Sequence, residues 1–322
     1  MTKLISSVAE RAEELHPMAA KVAYAAQRQK PLSECTPVEA RAMRESLGNP
    51  FSPEACDMAS ISDHWLASSG GRLRVRRYQP QALETGMQPA LLFFHGGGHV
   101  LGTLDGYDTV AQQLARLGNC LVFSVEYRLA PETKSAGIYQ DGLDAYQWLL
   151  NDAVELGVDA SRIAIGGDSA GGNIAIAVTL QCKQQNIVQP IYQVLIYPAV
   201  DYRLDHPSID EFADGYFLTK ANKEWFRGHF LESEERASDP LVSSLLADLS
   251  GLPAALLITA GFDPLRDEGE ALGKRLLDQG VRVEHLCYTD MIHAFISFAG
   301  GIPAGMTALE QIGEVLQREF GD

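Results

Sequence analysis

Cysteine is scarce in this chain, and its few copies are far apart. The five cysteines are Cys35, Cys56, Cys120, Cys182 and Cys287. An odd number of scattered cysteines, with no C-x-x-C pair, excludes a disulfide framework and a cysteine metal centre. We therefore expect reduced thiols, no cysteine-bound metal and a cytoplasmic protein.

Basic residues are also under-represented. The chain has 26 lysines and arginines against 42 aspartates and glutamates, a formal net charge of −16, and no lysine- or arginine-rich run. Nucleic acids and anionic membrane surfaces are bound through basic patches, so neither is expected as a partner.

Long hydrophobic runs are missing too. No stretch reaches the roughly 18 apolar residues that a membrane span requires. The first residues, "MTKLISSVAERAEELH", meet charged residues before any apolar segment of useful length. We therefore expect neither a membrane span nor a signal peptide. No internal repeat or low-complexity segment is evident.

What the sequence does contain, from about residue 72 onward, is an alternation of strand and helix patterns. "RLRVRRYQP" alternates like a half-exposed strand, and "ALLFF", "CLVFSVEY", "RIAIGG", "YQVLIYP" and "AALLITAG" are near-continuous apolar runs. Such runs are typical of parallel strands covered on both faces. Helical patterns separate them, which predicts an α/β fold with a mainly parallel sheet.

Two segments interrupt this alternation. Residues 1–50 have the pattern of amphipathic helices without a strand, and residues 201–250 place aromatic and charged residues between two sheet strands. Insertions of this kind lie at the carboxyl edge of a sheet, where ligands bind. We expect both segments to form one helical cap over a catalytic domain of residues 51–322.

The segment "RIAIGGDSAGGNIAIAV" runs a buried strand through a glycine-flanked serine into an apolar helix. "GDSAG" fits the G-x-S-x-G nucleophile elbow, in which a tight turn exposes the serine hydroxyl. A motif this short also arises by chance. Its position between a strand and a helix favours Ser169 as a nucleophile.

A second glycine-rich segment, "LLFFHGGGHVLG", follows another buried strand. Three consecutive glycines are explained if their amides point at a developing oxyanion. The candidate donors are the amides of Gly97, Gly98 and Ala170. A phosphate-binding loop is the competing interpretation, but neither G-x-G-x-x-G nor G-K-[ST] spacing is present. His95 is expected to anchor the loop.

A serine nucleophile requires a base, and the base requires an orienting acid. His293 follows the last strand, which is where the order Ser, Asp/Glu, His places the base. Asp263 directly follows the preceding strand and precedes Pro264. Asp267 and Glu268 fall in the first turn of the next helix and are interpreted as structural. The predicted triad is Ser169, Asp263 and His293.

Five motifs now stand in order: "HGGG", "YRLAPE", "GDSAGG", "DPLRDEG" and "IHAF". Together, over residues 72–320, they resemble the hormone-sensitive-lipase-like branch of the α/β-hydrolases, the bacterial family IV esterases. The resemblance implies an eight-stranded, mostly parallel sheet flanked by helices, with a helical cap from the N-terminus and an insertion. It also implies a cofactor-independent serine carboxylesterase acting on short- to medium-chain acyl esters, and suggests a homodimer. It assigns the same triad.

The sequence departs from this family at three places. His99 stands where an aromatic residue usually follows "HGGG", which predicts a more polar pocket wall. "TKSAGIY" replaces the usual His-Pro-Phe-Pro run after "YRLAPE", and the cap matches no known pattern. Arg128 and Glu132 are interpreted as structural ion-pair partners.

Candidate pocket residues are apolar or aromatic and lie at loop ends or in the cap, with plain core packing as the alternative. They are His99, Tyr197, Tyr202, Phe217, Leu218, Ile292 and Phe295. Two other functions remain open at this point: an amidase, lactonase or deacetylase using the same triad, and a ligand receptor on the same fold.

Overall fold

One eight-stranded sheet organises the chain. The computed structural model describes residues 11–81, 83 and 86–321. The strands are β1 (Met58–Ser68), β2 (Gly71–Pro80), β3 (Gln88–Phe94), β4 (Leu121–Glu126), β5 (Val158–Asp168), β6 (Tyr192–Ile196), β7 (Ala254–Phe262) and β8 (Val283–Ile292). Their order across the sheet is β1-β2-β4-β3-β5-β6-β7-β8; β2 is antiparallel to both β1 and β4, and the other neighbouring pairs are parallel. The predicted α/β architecture with a mostly parallel sheet is confirmed.

Ten α-helices are assigned in the described residues. They are α1 (Pro17–Gln27), α2 (Pro37–Leu47), α3 (Asp108–Gly118), α4 (Ser135–Asn151), α5 (Ala153–Leu156), α6 (Ala170–Gln185), α7 (Pro207–Glu211), α8 (Lys220–Phe230), α9 (Arg266–Asp278) and α10 (Pro303–Phe320). Short 3₁₀ turns occur at Leu32–Glu34, Asp105–Tyr107, Glu234–Ser238, Ser244–Leu246 and Phe295–Phe298. Within the described part of the chain, no helix is both long enough and apolar enough to span a bilayer.

The sheet is covered on both faces, as its apolar strands require. Leu92 and Phe94 of β3 pack in a core with α4, α6 and α9, while Leu91 and Phe93 pack in the opposite core with α3 and α10. Successive side chains of a strand point to opposite faces, so a strand buried on both sides needs an unbroken apolar run.

Strand β1 is absent from the sequence expectations, which begin the sheet at about residue 72. Its inward-facing positions include Ser60, Ser62 and His64, whereas Ile61 and Trp65 face outward and are about half exposed. These polar positions break the usual apolar-inside alternation, although Leu66 on the same face is buried in the core. The strand is formed because it pairs along nearly its full length with β2 at the edge of the sheet.

The two interrupting segments contact each other. The described residues 11–50 contain α1, α2 and no strand, and residues 201–250 contain α7 and α8. Trp225 Nε1 in α8 donates to the carbonyl of Cys35 at 3.1 Å, and Gln27 Nε2 donates to the carbonyl of Gly215 at 2.9 Å.

Candidate active site

Ser169 occupies the one-residue corner between β5 and α6. Its backbone lies in the left-handed region, with φ 54° and ψ −116°, a conformation that is costly for a residue with a side chain. The neighbouring glycines are required by crowding. A Cβ at Gly171 would lie 1.9 Å from the carbonyl oxygen of Phe94, and one at Gly167 would lie 2.5 Å from the same atom. The small residues therefore let β3 pass directly beside the turn.

The structure brings together the three side chains predicted to form a triad. His293 directly follows β8, and its Nε2 lies 2.8 Å from Ser169 Oγ. Asp263 directly follows β7, and its Oδ2 accepts a hydrogen bond from His293 Nδ1 at 2.6 Å. The other oxygen of Asp263 accepts from the amide of Leu265 at 2.8 Å. Asp263 and His293 are almost completely buried, and Ser169 is partly accessible.

The glycine loop after β3 turns back sharply beside this serine. Gly97 and Gly98 have φ values of +119° and +62°, which favour glycine. The carbonyl of Gly97 accepts from the amides of Val100 and Leu101 at 3.1 and 2.8 Å. Among the described residues, no acceptor is recorded for the amides of Gly97, Gly98 or Ala170. Ala170 is the first residue of α6, so its amide lies at the positive end of a helix.

Asp168, the unassigned residue of the "GDSAG" motif, holds the first glycine of the loop. Its Oδ1 accepts from the amide of Gly96 at 2.7 Å, and its Oδ2 accepts from the hydroxyl of Tyr107 at 3.0 Å. Burial raises the pKa of Asp168 to about 6, against the opposing effect of these two hydrogen bonds. Asp168 therefore joins the nucleophile turn to the glycine loop.

His95 anchors the same loop, as its position suggested. Its Nδ1 donates to the carbonyl of Gly96 at 2.8 Å, and the hydroxyl of Tyr127 donates to the carbonyl of His95 at 2.8 Å. The rings of His95 and Tyr127 are stacked, with centroids 4.5 Å apart. Burial lowers the pKa of His95 to about 4, so the ring is neutral at ordinary pH.

Helix α8 lies directly over the glycine loop. A Cβ at Gly98 would lie 2.3 Å from the ring of Phe226, so the aromatic ring rests against the glycine. One turn further on, Phe230 stacks on His99 with the ring centroids 3.8 Å apart. His99 Nε2 lies 2.8 Å from the hydroxyl of Tyr202. The contact of Phe226 with Gly98 depends on two segments distant in sequence, so no local pattern could have predicted it.

Lys223, on the same side of α8, approaches a buried glutamate. Glu268 is fully buried and its Oε1 accepts from the amides of Val200 and Asp201 at 2.8 and 3.3 Å. Lys223 Nζ lies 4.0 Å from that oxygen. Burial raises the pKa of Glu268 to about 7. Glu268 thus supports the loop after β6, in keeping with its structural interpretation.

The remaining candidate pocket residues are distributed unevenly. The ring centroids of Tyr197 and His293 are 4.8 Å apart, and those of Phe217 and Phe298 are 5.2 Å apart. Leu218 retains slight exposure, whereas Ile292 and Phe295 are fully buried within the apolar core. Core packing is the simpler description of the last two.

The "YRLAPE" charges and the altered segment after them are structural in their contacts. Arg128 Nε and Nη2 donate to Oδ2 and Oδ1 of buried Asp141 as a bidentate pair, and Glu132 pairs with Arg41 of α2. Glu232 accepts from the Ser135 hydroxyl and the Ala136 amide at 2.6 and 3.0 Å, and so caps the start of α4. An acidic group from the 201–250 segment thereby replaces a local helix-start signal.

One group of side chains has the spacing of a metal site within the described residues. Ligand atoms of Asp201, Asp205 and His206 lie within 4.8 Å of one another. The Asp201 carboxylate, however, already accepts from the Arg203 guanidinium at 2.9 and 2.5 Å and from His206 at 3.0 Å. The positively charged Arg203 guanidinium already neutralises the Asp201 carboxylate, so we assign no metal to this cluster.

A serine on a strained turn, a buried histidine and aspartate, and a glycine loop on a doubly covered parallel sheet together define an α/β hydrolase. The profile of a family described as "alpha/beta hydrolase fold" matches residues 91–297. The chain belongs to this family, in its hormone-sensitive-lipase-like branch.

Relatives that match most of this chain are carboxylic ester hydrolases, and the chain is a serine carboxylesterase. Ethyl acetate hydrolase of Pseudomonas putida is 35% identical over 286 residues, which cover 88% of this chain and 90% of the relative. Carboxylic ester hydrolase LipN of Mycobacterium tuberculosis is 36% identical over 259 residues, covering 77% and 68% respectively. The structure of an ester hydrolase from the metagenome of Lake Arreo, complexed with a bipyridine phosphonate derivative, has a TM-score of 0.92 at 34% identity and covers 96% of this chain and 100% of its own.

Proposed function

We propose that the protein hydrolyses short- to medium-chain acyl esters through an acyl-enzyme formed on Ser169, with His293 as general base and acid and Asp263 as its orienter. The observation that carries the proposal is the continuous hydrogen-bonded series from the Ser169 hydroxyl through both His293 nitrogens to Asp263, at 2.8 and 2.6 Å. Both distances lie within the reach that proton transfer requires.

In the proposed cycle, His293 Nε2 takes the proton of the Ser169 hydroxyl as the oxygen attacks the ester carbonyl. The resulting imidazolium donates that proton to the departing alcohol, leaving the acyl group on the serine. A water molecule then repeats the two steps and releases the carboxylic acid. Asp263 keeps the proton on Nδ1 so that Nε2 is free to accept.

The oxyanion of each tetrahedral intermediate is proposed to accept hydrogen bonds from the amides of Gly97, Gly98 and Ala170. Their freedom from partners among the described residues supports this role. Preformed donors of this kind are worth about 100- to 1000-fold in kcat each.

The substrate preference follows from how closely the cap covers the serine. We propose that residues 1–50, of which 11–50 are described, and 201–250 form the cap, and that it limits the acyl length. Phe226 resting on Gly98 and the burial of Tyr202 and Leu218 support a small pocket. The name of the Pseudomonas putida relative, an ethyl acetate hydrolase, agrees with a small ester.

We also propose a cytoplasmic location and no nucleic-acid partner. None of the five cysteines, all of which lie in the described residues, forms a disulfide, and three of them are buried. Reduced, unpaired cysteines are the rule inside cells. The net charge of −16 disfavours a polyanionic ligand.

The test is hydrolysis of nitrophenyl esters of increasing acyl length by the native chain, Ser169→Ala and a matched control, Ser161→Ala. Ser161 lies on the same strand but is exposed and bonded only locally to Asp159. We expect Ser169→Ala to keep its fold but to have a kcat that is lower by about 10⁴-fold or more. Ser161→Ala is expected to keep the native kcat.

A panel of matched amides, lactones and acetylated compounds separates the alternative activities. A phosphonate that forms a covalent adduct with the native chain, but not with Ser169→Ala, would identify Ser169 as the nucleophile. Ester hydrolysis that survives in Ser169→Ala would overturn the proposed mechanism.

A further inference from the structure

Hydrogen bonds hold the glycine loop at its start and at its end. The contact at its end involves no residue of the proposed triad. At its start, Asp168 accepts from the amide of Gly96. At its end, the turn closed by the carbonyl of Gly97 leaves the carbonyl of Val100 free to accept from another segment. That acceptor receives a hydrogen bond from Arg41 Nε at 2.9 Å.

Arg41 uses the rest of its guanidinium to tie this carbonyl to the "YRLAPE" segment. Nη2 donates to the carbonyl of Ala130 at 2.6 Å and to Glu132 Oε2 at 2.7 Å, and Nη1 donates to Glu132 Oε1 at 2.8 Å. The amide of Ala130 in turn donates to the carbonyl of His99 at 2.8 Å. The glycine loop and the "YRLAPE" segment are therefore joined directly by a backbone hydrogen bond and indirectly through the Arg41 side chain.

Only arginine can make this set of contacts. A planar guanidinium offers several donors in a fixed fork, which matches a carboxylate on one edge while Nε points elsewhere. A lysine ammonium in the same place would be a single point charge and could not reach both the Val100 carbonyl and both oxygens of Glu132. The Arg41 side chain is 29% exposed, whereas that of Glu132 is 58% exposed, so the guanidinium is the more shielded partner.

Arg41 is itself fixed by a stable helix start. Thr36 and Glu39 form a reciprocal capping box at the beginning of α2, with Glu39 accepting from the Thr36 amide at 2.8 Å. The capping box fixes where α2 begins, and Arg41 follows Glu39 by two residues. The N-terminal segment thus delivers a preorganised guanidinium to the loop.

We propose that Arg41 is a positioning residue for the oxyanion-binding amides of Gly97 and Gly98. This inference rests on the proposed function. With Arg41 present, the glycine loop is pinned at Gly96 and at Val100, on both sides of the two donors. Without Arg41, the flexible glycine loop relaxes, and the amides of Gly97 and Gly98 no longer point at the oxyanion. A displacement of about 1 Å in such a site costs about 100-fold in rate.

The expected signature is a fall in kcat with little change in KM, because the amides contribute most when charge has developed on the substrate oxygen. The variants are Arg41→Met, Arg41→Lys and Glu132→Gln. Arg44→Met is the matched control, since Arg44 lies on the same helix and is exposed. All are measured in the full chain, with thermal unfolding followed in parallel.

We expect Arg41→Met to lower kcat by about 10- to 100-fold, and the rate of covalent reaction with a phosphonate ester to fall by a similar factor. Arg41→Lys is expected to recover part of the loss, and Glu132→Gln to show a smaller loss of the same kind. Arg44→Met retains native values. The phosphonate rate is informative because its phosphoryl oxygen occupies the position of the oxyanion.

A purely structural Arg41 predicts a different outcome. The melting temperature would then fall in Arg41→Met while kcat and phosphonate reactivity stay within about twofold of native, and that result would overturn the inference. If Arg41→Met does not fold, Arg41→Lys and Glu132→Gln decide by the same criteria. Activity retained in Ser169→Ala would instead refute the proposed function, so the two failures are distinguishable.

Discussion

Asp168 joins the nucleophile turn to the glycine loop, and its burial and its hydrogen bonds shift its pKa in opposite directions. Replacing it with asparagine tests whether burial has the larger effect on that pKa. The carboxyl group is 3% exposed and accepts two hydrogen bonds, from Gly96 and Tyr107. Burial still raises its pKa from an ordinary value of 3.8 to about 6. The folded state therefore holds the Asp168 proton more tightly than the unfolded chain does.

The sign of the stability effect follows from this difference. Protonated Asp168 favours folding in full below about pH 4, and that contribution is lost as the pH rises through about 6. Each pKa unit corresponds to about 1.4 kcal/mol. The free energy of unfolding of the native chain, relative to that of Asp168→Asn, should therefore fall by about 2–3 kcal/mol between pH 4 and pH 7.

Urea unfolding of both proteins at several pH values measures this difference directly. Asparagine carries no titratable proton, so contributions from all other groups cancel between the two proteins. The exposed Asp214→Asn variant controls for the general effect of removing one negative charge. A difference that is constant with pH, or that grows as the pH rises, would refute the reasoning, because the two hydrogen bonds would then offset burial completely.

Two further substitutions test the site and its turn. Asp263→Asn should keep the fold but lower kcat by about 10⁴-fold, because an amide does not hold His293 in the required tautomer; native-like activity in ester hydrolysis would contradict the proposed role. Gly171→Ala should destabilise the protein by at least about 1–3 kcal/mol, since its Cβ would lie 1.9 Å from the Phe94 carbonyl. Gly228→Ala in α8, where a Cβ meets nothing within 4 Å, should instead stabilise by about 0.5–1 kcal/mol. Thermal or urea unfolding compares the two, and equal effects would show that crowding does not decide the outcome.

The sheet interior could be predicted from the sequence because its strands are buried on both faces. An unbroken run such as "ALLFF" admits few other interpretations when glycine or polar turns bound it, and the helical patterns "DTVAQQLARLG" and "AGGNIAIAVTLQCKQQ" coincide with α3 and α6. Strand β1 could not be predicted in this way. Ser60, Ser62 and His64 face inward and Trp65 faces outward, so its identity depends on pairing with β2 rather than on its own pattern.

The candidate site divides along a similar line. Ser169, Asp263 and His293 each follow a predicted strand, and parallel strands bring their carboxyl ends to one edge, so chain order alone indicated that they would meet. Arg41 and Phe226 carry no such signal. Each reaches the glycine loop from a segment outside the strand and helix alternation, and the contact depends on how that segment folds over the sheet edge.

His99 shows how the same physical role survives a change of residue type. The sequence suggests a more polar wall, because an aromatic ring is usual at this position. In the structure the His99 ring lies almost parallel to that of Phe230, 3.8 Å away with an interplanar angle of 8°. Burial lowers its pKa to about 3, so the ring stays uncharged at ordinary pH.

The polarity that remains on His99 is directed into the protein. Its Nε2 bonds the buried hydroxyl of Tyr202, whose ring also packs against Phe230 at 5.2 Å. His99 has no exposed surface, so it forms no polar pocket wall, and its flat, neutral ring instead packs on a phenylalanine as a second aromatic residue would. The substitution therefore adds an internal hydrogen bond between the glycine loop and the segment after β6, and it introduces no charge into this packed region.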